Sequence, residues 1–286
     1  MRIGIGLPNA TLTIRGGDVL LDFARRAEAA GFASLATIGR VAYPSYEELV
    51  VLAAAAGVTS RIGLLTDILL GPTREPVLLA KQAATLDQVS GGRFVLGVGV
   101  GMREDDFTVS GQGYSDRGRR WDAALDLMHR AWRAEIVEGG DKPITPRPVN
   151  GESVPMLFGG RSEEAVRRVV RWGIGYTQGG GTPEGLGQMK ERVDAAWREA
   201  GRAGSAEYRA LNYLALGEDA RPEAERNILD YYGEQYGQML LRGLVRDAKA
   251  AQERVKTFEA AGCDELIFFC EDPHAEQVDR LAAAVL

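Results

Sequence analysis

Eight apolar, β-branched runs recur along the chain, and a segment of helical period follows each of them. The strand runs are 2–8, 34–38, 62–69, 94–99, 154–158, 174–177, 208–216 and 265–269. The helical segments are 18–30, 46–56, 75–89, 115–132, 163–172, 183–200, 222–238, 246–261 and 275–285. In the first of these, Leu20, Phe23, Ala24 and Ala27 share one face and Gly31 marks a stop. Such alternation predicts a parallel sheet covered by helices. For 286 residues the expected fold is a (β/α)8 TIM barrel formed as one domain over 1–286, with a doubly wound open sheet as the alternative. A barrel places its active site at the C-terminal ends of the strands, so those ends become the candidate site.

What the strand ends lack narrows the chemistry. The chain has two histidines, His129 within a helical segment and His274 after the last strand, so a histidine-rich metal centre is not expected. Lys81, Lys142, Lys190, Lys249 and Lys256 all fall in helices or loops, which leaves Schiff-base chemistry without a nucleophile. A serine triad would need one of the two badly placed histidines. Glu104, Asp105, Asp106, Glu271 and Asp272 offer acids for a glycosidase pair, but neighbouring acids in one run read more simply as a solvated loop or helix cap. A net charge of −6 with no basic run argues against nucleic acid. No apolar run approaches about 20 residues, so no membrane span is expected. The opening "MRIGIGLPNA" reads as a strand rather than a leader, and Cys263 and Cys270 read as buried thiols. A cytoplasmic location is the expectation.

Glycine is the residue the strand ends do have. Thirty-six glycines exceed the usual share of about 7%. In "GGRFVLGVGVGMREDDF", Gly97, Gly99 and Gly101 fall on one face, opposite Phe94, Leu96, Val98 and Val100. Glycine in a strand marks a place where backbone or ligand comes close. Met102 takes the sixth place of a GxGxxG pattern and no helix is expected before residue 115, so this is no dinucleotide fingerprint. A tight barrel interior and a cofactor face both fit the spacing. In "LFGGRSEEAVRRV", Gly159 and Gly160 end a strand and Ser162 is placed to cap the next helix, with Arg161 between them. Backbone N–H groups at such a turn suit a phosphate, and "TQGGGTPEG" repeats the design. Strand ends rich in glycine and poor in acid–base groups suit a cofactor that brings its own chemistry.

The composite "PVLLAKQAATLDQVSGGRFVLGVGVGMREDDF", followed by "GRRWDAALDLMHRAW" and "PMLFGGRSEEAVRRVVRWGIGY", resembles the bacterial-luciferase-like flavin- and F420-dependent oxidoreductases. The resemblance covers residues 1 to 200 by motif and the remainder by element order. It implies a luciferase-like TIM barrel, a homodimer, and FMN or coenzyme F420 at the strand ends. Residues matching the family's cofactor positions are Thr66, Asp67, Ile68 and Leu69 on the third strand, and Gly97, Val98, Gly99 and Gly101 on the fourth. Gly159, Gly160 and Arg161 match the phosphate turn, with Gln178 and Gly179 beside it. Relatives often bulge at Thr66–Asp67–Ile68, some through a cis peptide; the rarity of non-proline cis bonds keeps the resemblance from asserting one here.

Two departures shape the functional expectation. Gly39 and Arg40 stand where hydride-transferring relatives carry an acid–histidine pair, and Met102 where some sugar-phosphate-oxidising relatives carry glutamate. An alcohol or sugar-phosphate dehydrogenase is therefore disfavoured. The expected activity is a luciferase-like monooxygenase using reduced FMN and oxygen on a small organic substrate, supplied by a flavin reductase. The alternatives are an F420-dependent oxidoreductase with an F420-reducing system, and a non-catalytic flavoprotein. FMN is preferred because no basic track awaits F420's acidic tail, although Arg40, Arg74 and Arg161 are available to converge on one. Arg40, Tyr43 and Met102 are the candidate substrate-facing residues, no metal is expected, and "ILDYYGEQYGQML", with Tyr231, Tyr232 and Tyr236, is either a cover for the site or an amphipathic helix packed on the barrel.

Overall fold

The computed structural model describes residues 1–14 and 16–286. Its strands are β1 (Arg2–Gly6), β2 (Ser34–Thr37), β3 (Gly63–Thr66), β4 (Leu69–Leu70), β5 (Phe94–Gly99), β6 (Met156–Phe158), β7 (Gly175–Gln178), β8 (Glu207–Leu214) and β9 (Glu265–Cys270). The helices are α1 (Asp18–Ala30), α2 (Glu48–Ala56), α3 (Pro76–Ser90), α4 (Glu104–Val109), α5 (Arg117–Trp132), α6 (Glu163–Trp172), α7 (Pro183–Glu199), α8 (Arg221–Tyr232), α9 (Glu234–Leu241), α10 (Ala248–Ala260) and α11 (Glu276–Val285). All strand pairs are parallel, in the order β3-β2-β1-β9-β8-β7-β6-β5-β4, and β3 also pairs with β5. The sheet therefore closes on itself as an eight-stranded (β/α)8 barrel, with β3 and β4 the two halves of one broken strand.

Strand alternation sorts the apolar side chains into two layers. Ile5, Leu35, Leu64, Phe94, Leu96, Val98, Phe158 and Phe268 join the cluster that includes helix residues such as Phe23, Leu52 and Trp121. Residues of the other parity, Ala36, Leu65, Leu157, Leu211, Ile267 and Phe269, form a smaller cluster inside the barrel with Ile228 and Leu240 of α8 and α9. Gly97 and Gly99 share this inner parity. At the N-terminal end of the barrel, Arg209 pairs with Glu207 at 3.1 Å and with Glu265 at 3.3 Å, and Glu265 also bonds Ser34.

Three elements depart from the sequence expectation. The run 62–69 is broken: Leu64 and Leu65 pair with Phe94 and Val95, but Leu69 and Leu70 pair with Val98 and Gly99. One extra residue sits on the third strand, a β-bulge, and the Asp67–Ile68 peptide within it is cis. The segment 222–238 is two helices, because Gly233 has φ +76 and ends α8 after Tyr232. A helix also opens directly after the glycine strand, at Glu104, where three acids occupy the first turn and complement the helix dipole.

The bulge explains the glycines. A Cβ at Gly97 would collide with the backbone carbonyl of Thr66, and one at Gly99 would lie 2.6 Å from Ile68 Cδ1. What comes close to the stripe is the neighbouring strand. Backbone cannot yield as a side-chain tip can, so Gly97→Ala is expected to cost about 1–3 kcal/mol. The denaturation midpoint of Gly97→Ala should fall clearly, while Gly179→Ala, whose Cβ would have nothing within 4 Å, should leave it unchanged.

Candidate functional site

A cavity of about 330 Å³ opens at the C-terminal end of the barrel. Ile68, Leu70, Val100, Leu211 and Leu240 make its walls largely apolar, and the glycine pairs Gly159–Gly160 and Gly179–Gly180 border one side. Tyr213 of β8, Tyr231 and Tyr232 of α8, and Tyr236 of α9 complete an aromatic part of the lining, and Tyr213 adjoins Gly180. The segment "ILDYYGEQYGQML" thus packs over the cavity, with its tyrosines in edge-to-face contact: Tyr232 to Tyr236 at 5.4 Å and Tyr213 to Tyr232 at 5.7 Å.

Of the predicted cofactor residues, Asp67, Ile68, Gly99, Gly101, Gly159, Gly160 and Gly179 line this cavity, as do Arg40 and Met102. The remainder lie off it for identifiable reasons. Gly97 is covered by Thr66, whose hydroxyl donates to the Gly97 carbonyl at 2.7 Å. Leu69 and Val98 face the helices. Gln178 is buried and donates to the Thr182 carbonyl at 2.9 Å. Arg161 lies outside the wall, beside the glycine turns. Tyr43 donates its hydroxyl to Asp230 at 2.8 Å and packs on Tyr231.

Arg40 is neither solvated nor free. Its side chain is 8% exposed, its Nε meets Asp106 at 3.3 Å, and it also pairs with Asp105. Asp106, 1% exposed, accepts the backbone N–H groups of Val41 and Ala42 at 2.8 Å each. The acid run after β5 is therefore a clamp that fastens the loop after β2. Its legible signal was position alone, since charge patterning could not separate this buried acid from its solvated neighbours. Met102, 78% exposed, stands at the cavity mouth. Arg74 is held by Glu47 and by Glu48 at 2.7 Å. Two of the three arginines available for an acidic tail are thus committed to carboxylates.

Two further acids carry displaced titrations. Asp67 is 3% exposed and accepts from the Thr177 hydroxyl at 2.8 Å through Oδ1, while Oδ2 has no hydrogen-bond partner. Burial pushes its carboxyl up to about 7, opposed by the Thr177 hydrogen bond and the charge of Arg209. Glu271, after β9, is pushed up to about 8 by burial. The sequence offered Glu271 only as half of a carboxylate pair, because a tyrosine surround assembled from three distant segments leaves no local pattern.

The helices after the two glycine turns are capped as their sequences suggest. Ser162 caps α6 by accepting from the Ala165 N–H at 3.3 Å, and Thr182 caps α7 by accepting from Gly185 at 3.2 Å. Arg161 Nη2 is 3.8 Å from the place a Gly185 Cβ would take, so this guanidinium sits between two helix N-termini. Among the described residues it makes no ion pair. A planar, phosphorylated cofactor fits these features: the Cβ-free opening at Gly179, the orphaned, buried Oδ2 of Asp67, a residue of the cavity lining, and a cation without an ion pair beside two helix starts. No cluster of metal-binding side chains occurs among the described residues. No helix among them is long and apolar enough to cross a membrane.

Comparison with known proteins agrees with this architecture. The family described as luciferase-like monooxygenase matches residues 1–282. An uncharacterized protein of Mycobacterium tuberculosis is 29% identical over 221 residues, covering 67% of this chain and 76% of its own. The FMNH(2)-dependent dimethylsulfone monooxygenase of Pseudomonas putida is 28% identical over 202 residues, covering 66% of this chain and 53% of its own. An F420-dependent secondary alcohol dehydrogenase with an F420-acetone adduct superimposes with a TM-score of 0.78 at 20% identity, over 99% of this chain and 98% of that one. The oxygenating constituent of 3,6-diketocamphane monooxygenase from Pseudomonas putida, in complex with FMN, gives 0.75 at 17% identity, over 100% and 99%. These two likenesses speak to the fold.

Two outcomes follow from the acids. Removing Asp106 strands a buried guanidinium, so Asp106→Asn should lose about 3 kcal/mol in chemical denaturation, the low end for a broken buried pair, since Asp105 remains. For Asp67 the folded state binds the proton more tightly than the unfolded chain, so its contribution to stability falls as pH rises from about 4 to 7. The thermal midpoint of Asp67→Asn should therefore gain on wild type between pH 5 and pH 8. A constant difference would contradict the assignment.

Proposed function

The chain belongs to the luciferase-like monooxygenase family, and from that premise we propose that it is a flavin-dependent oxidoreductase using reduced FMN and oxygen on a small organic substrate. The observation that carries the FMN reading is Arg161, an uncommitted cation placed between the capped starts of α6 and α7. In this reading Arg161 and the N–H groups of the Gly159–Gly160 turn hold a phosphate. Ile68, Leu70, Val100 and Leu211 flank the ring and keep water from it. Asp67, a residue of the cavity lining whose Oδ2 is unbonded, would hold or release a proton beside the cofactor according to pH. When bound, reduced flavin supplies two electrons and the reactivity toward oxygen. The substrate lies on the tyrosine side, where Tyr231, Tyr232 and Tyr236 give an aromatic surface suited to an apolar or flat molecule. A separate flavin reductase supplies the reduced cofactor, and the protein works as a homodimer.

A second reading, hydride transfer with F420, is favoured by Arg103. Its guanidinium lies 5.6 Å from the Tyr231 ring centre and 5.7 Å from that of Tyr232, lines the cavity, and has no ion pair among the described residues. That cation would suit an acidic tail leaving the cavity. The committed Arg40 and Arg74 weigh against it. A third reading, a flavoprotein without turnover, is motivated by the absent acid–histidine pair.

Parallel titration of the apo-protein with FMN, riboflavin and F420 separates these. FMN should bind and F420 should not; binding of neither would sink the flavin reading. Arg161→Ala should weaken FMN about tenfold or more, in line with loss of a charged hydrogen bond worth about 1.5–3 kcal/mol. Riboflavin, which lacks the phosphate, should be unaffected. Equal weakening of both would remove Arg161 from the phosphate role.

A further inference from the structure

Behind the tyrosine side of the cavity lies a second, much smaller hollow. Its volume is about 10 Å³, and its lining includes Glu271, Thr11 and Phe269. Ile38, Tyr213, Tyr231 and Tyr232 line both spaces, so these side chains form the partition between them. A hollow of this size holds about one water molecule. The hydroxyls of Tyr213 and Tyr232 are hydrogen-bonded to one another within the partition. Glu271 is anchored through its backbone: its N–H donates to the Leu214 carbonyl at 3.0 Å, and its carbonyl accepts from Asn227 Nδ2 at 2.8 Å. Its carboxyl has no hydrogen bond or ion pair among the described residues.

We propose that Glu271 and the linked hydroxyls of Tyr232 and Tyr213 form a proton line that serves the main cavity from behind. The line rests on the oxidoreductase reading, because it answers a need that such chemistry creates: an oxygen that gains electrons must also gain a proton. One proton passes at each step. The Tyr213 O–H bond breaks as an O–H bond forms on the reduced oxygen in the cavity. The Tyr232 proton moves to the Tyr213 oxygen, and the Glu271 proton moves to Tyr232 through a water in the hollow. Glu271 is left as carboxylate and regains its proton from solvent; no electrons move along the line.

The groups around Glu271 are arranged for this. It faces Tyr213 of β8, Tyr232 of α8 and Tyr43 of the loop after β2, each of which feels its charge, and Cys270 precedes it on β9. No cation is among them in the described residues. Burial holds the hydroxyls of Tyr213 and Tyr232 well above their usual range, so they relay a proton without ionising themselves. Burial also pushes Glu271 up to about 8, so the carboxyl carries its proton at neutral pH. Glu271 is a positioning residue in this scheme, with the oxygens of one water, Tyr232 and Tyr213 between it and the reacting atom.

The test uses the full chain in two arms. In the first, the protein is labelled with carboxyl-¹³C glutamate and titrated by NMR without any flavin. One signal should titrate near pH 8, vanish in Glu271→Gln and shift in Tyr232→Phe. A Glu271 signal that titrates in the ordinary glutamate range, or is blind to Tyr232→Phe, overturns the line whatever the cofactor. In the second arm, protein loaded with reduced FMN is mixed with oxygen, and hydrogen peroxide release is followed against pH. Wild type should slow above about pH 8; Glu271→Gln should bind FMN as wild type does, react about tenfold or more slowly at pH 7, and lose that pH step. An unchanged pH profile in Glu271→Gln overturns the line. Failure of FMN to bind at all counts against the flavin reading alone and leaves the first arm to decide.

Discussion

The carbonyl of Thr66 lies where a side chain at residue 97 would be, and much of the site depends on that contact. One extra residue on the third strand has to go somewhere, and the glycine face of β5 is where it goes. The bulge then carries Asp67 and Ile68 onto the cavity wall, with Ile68 filling the space above Gly99. Any side chain at residue 97 would push the third strand outward and break the register that closes the barrel between β3 and β5. The glycines therefore act on the cavity at one remove, by admitting the strand that shapes it.

Charge placement follows the same logic of backbone held by side chains. Asp106 ties two N–H groups of the loop after β2 and one arginine, so the wall opposite the glycine turns is fixed by a buried acid rather than by a strand. The carboxyls that are not tied in this way, at Asp67 and Glu271, are those whose protons are held most firmly. A buried carboxyl without a cation keeps its proton because desolvation penalises the charged form more than any neighbour rewards it. The cavity thus has a protonatable group on two sides and an apolar lining between them. Arg161 and Arg103, which make no ion pair among the described residues, lie toward its rim, where an anionic ligand end would stay partly solvated.

The barrel itself was legible because alternation is a local property. Phe94, Leu96 and Val98 announce a strand with one apolar face whatever surrounds them, and that face meets the helices as expected. Ser162 and Thr182 announce helix starts for the same reason, since a cap is a contact between residues three apart. The break at Gly233 is equally local, yet the apolar pattern continues across it and only the backbone angle reveals two helices. The short helix at Glu104 was hidden by its length, six residues being too few to establish a period.

By itself, the sequence determined the strand and helix alternation, the caps and turns, the absence of side chains on one face of β5, and the family. Each of these rests on residues within a turn or two of one another, or on a motif long enough to match whole. Tertiary structure alone decided what those patterns meet. It set the Thr66 carbonyl against Gly97, Asp106 beneath Arg40, and three tyrosines between Glu271 and the cavity. Such contacts join segments from 31 to more than 60 residues apart. Their partners are selected by barrel closure and packing rather than by spacing along the chain. The stripe in "GVGVG" was visible from the start, but its occupant was a neighbouring strand, and only the closed sheet could show that.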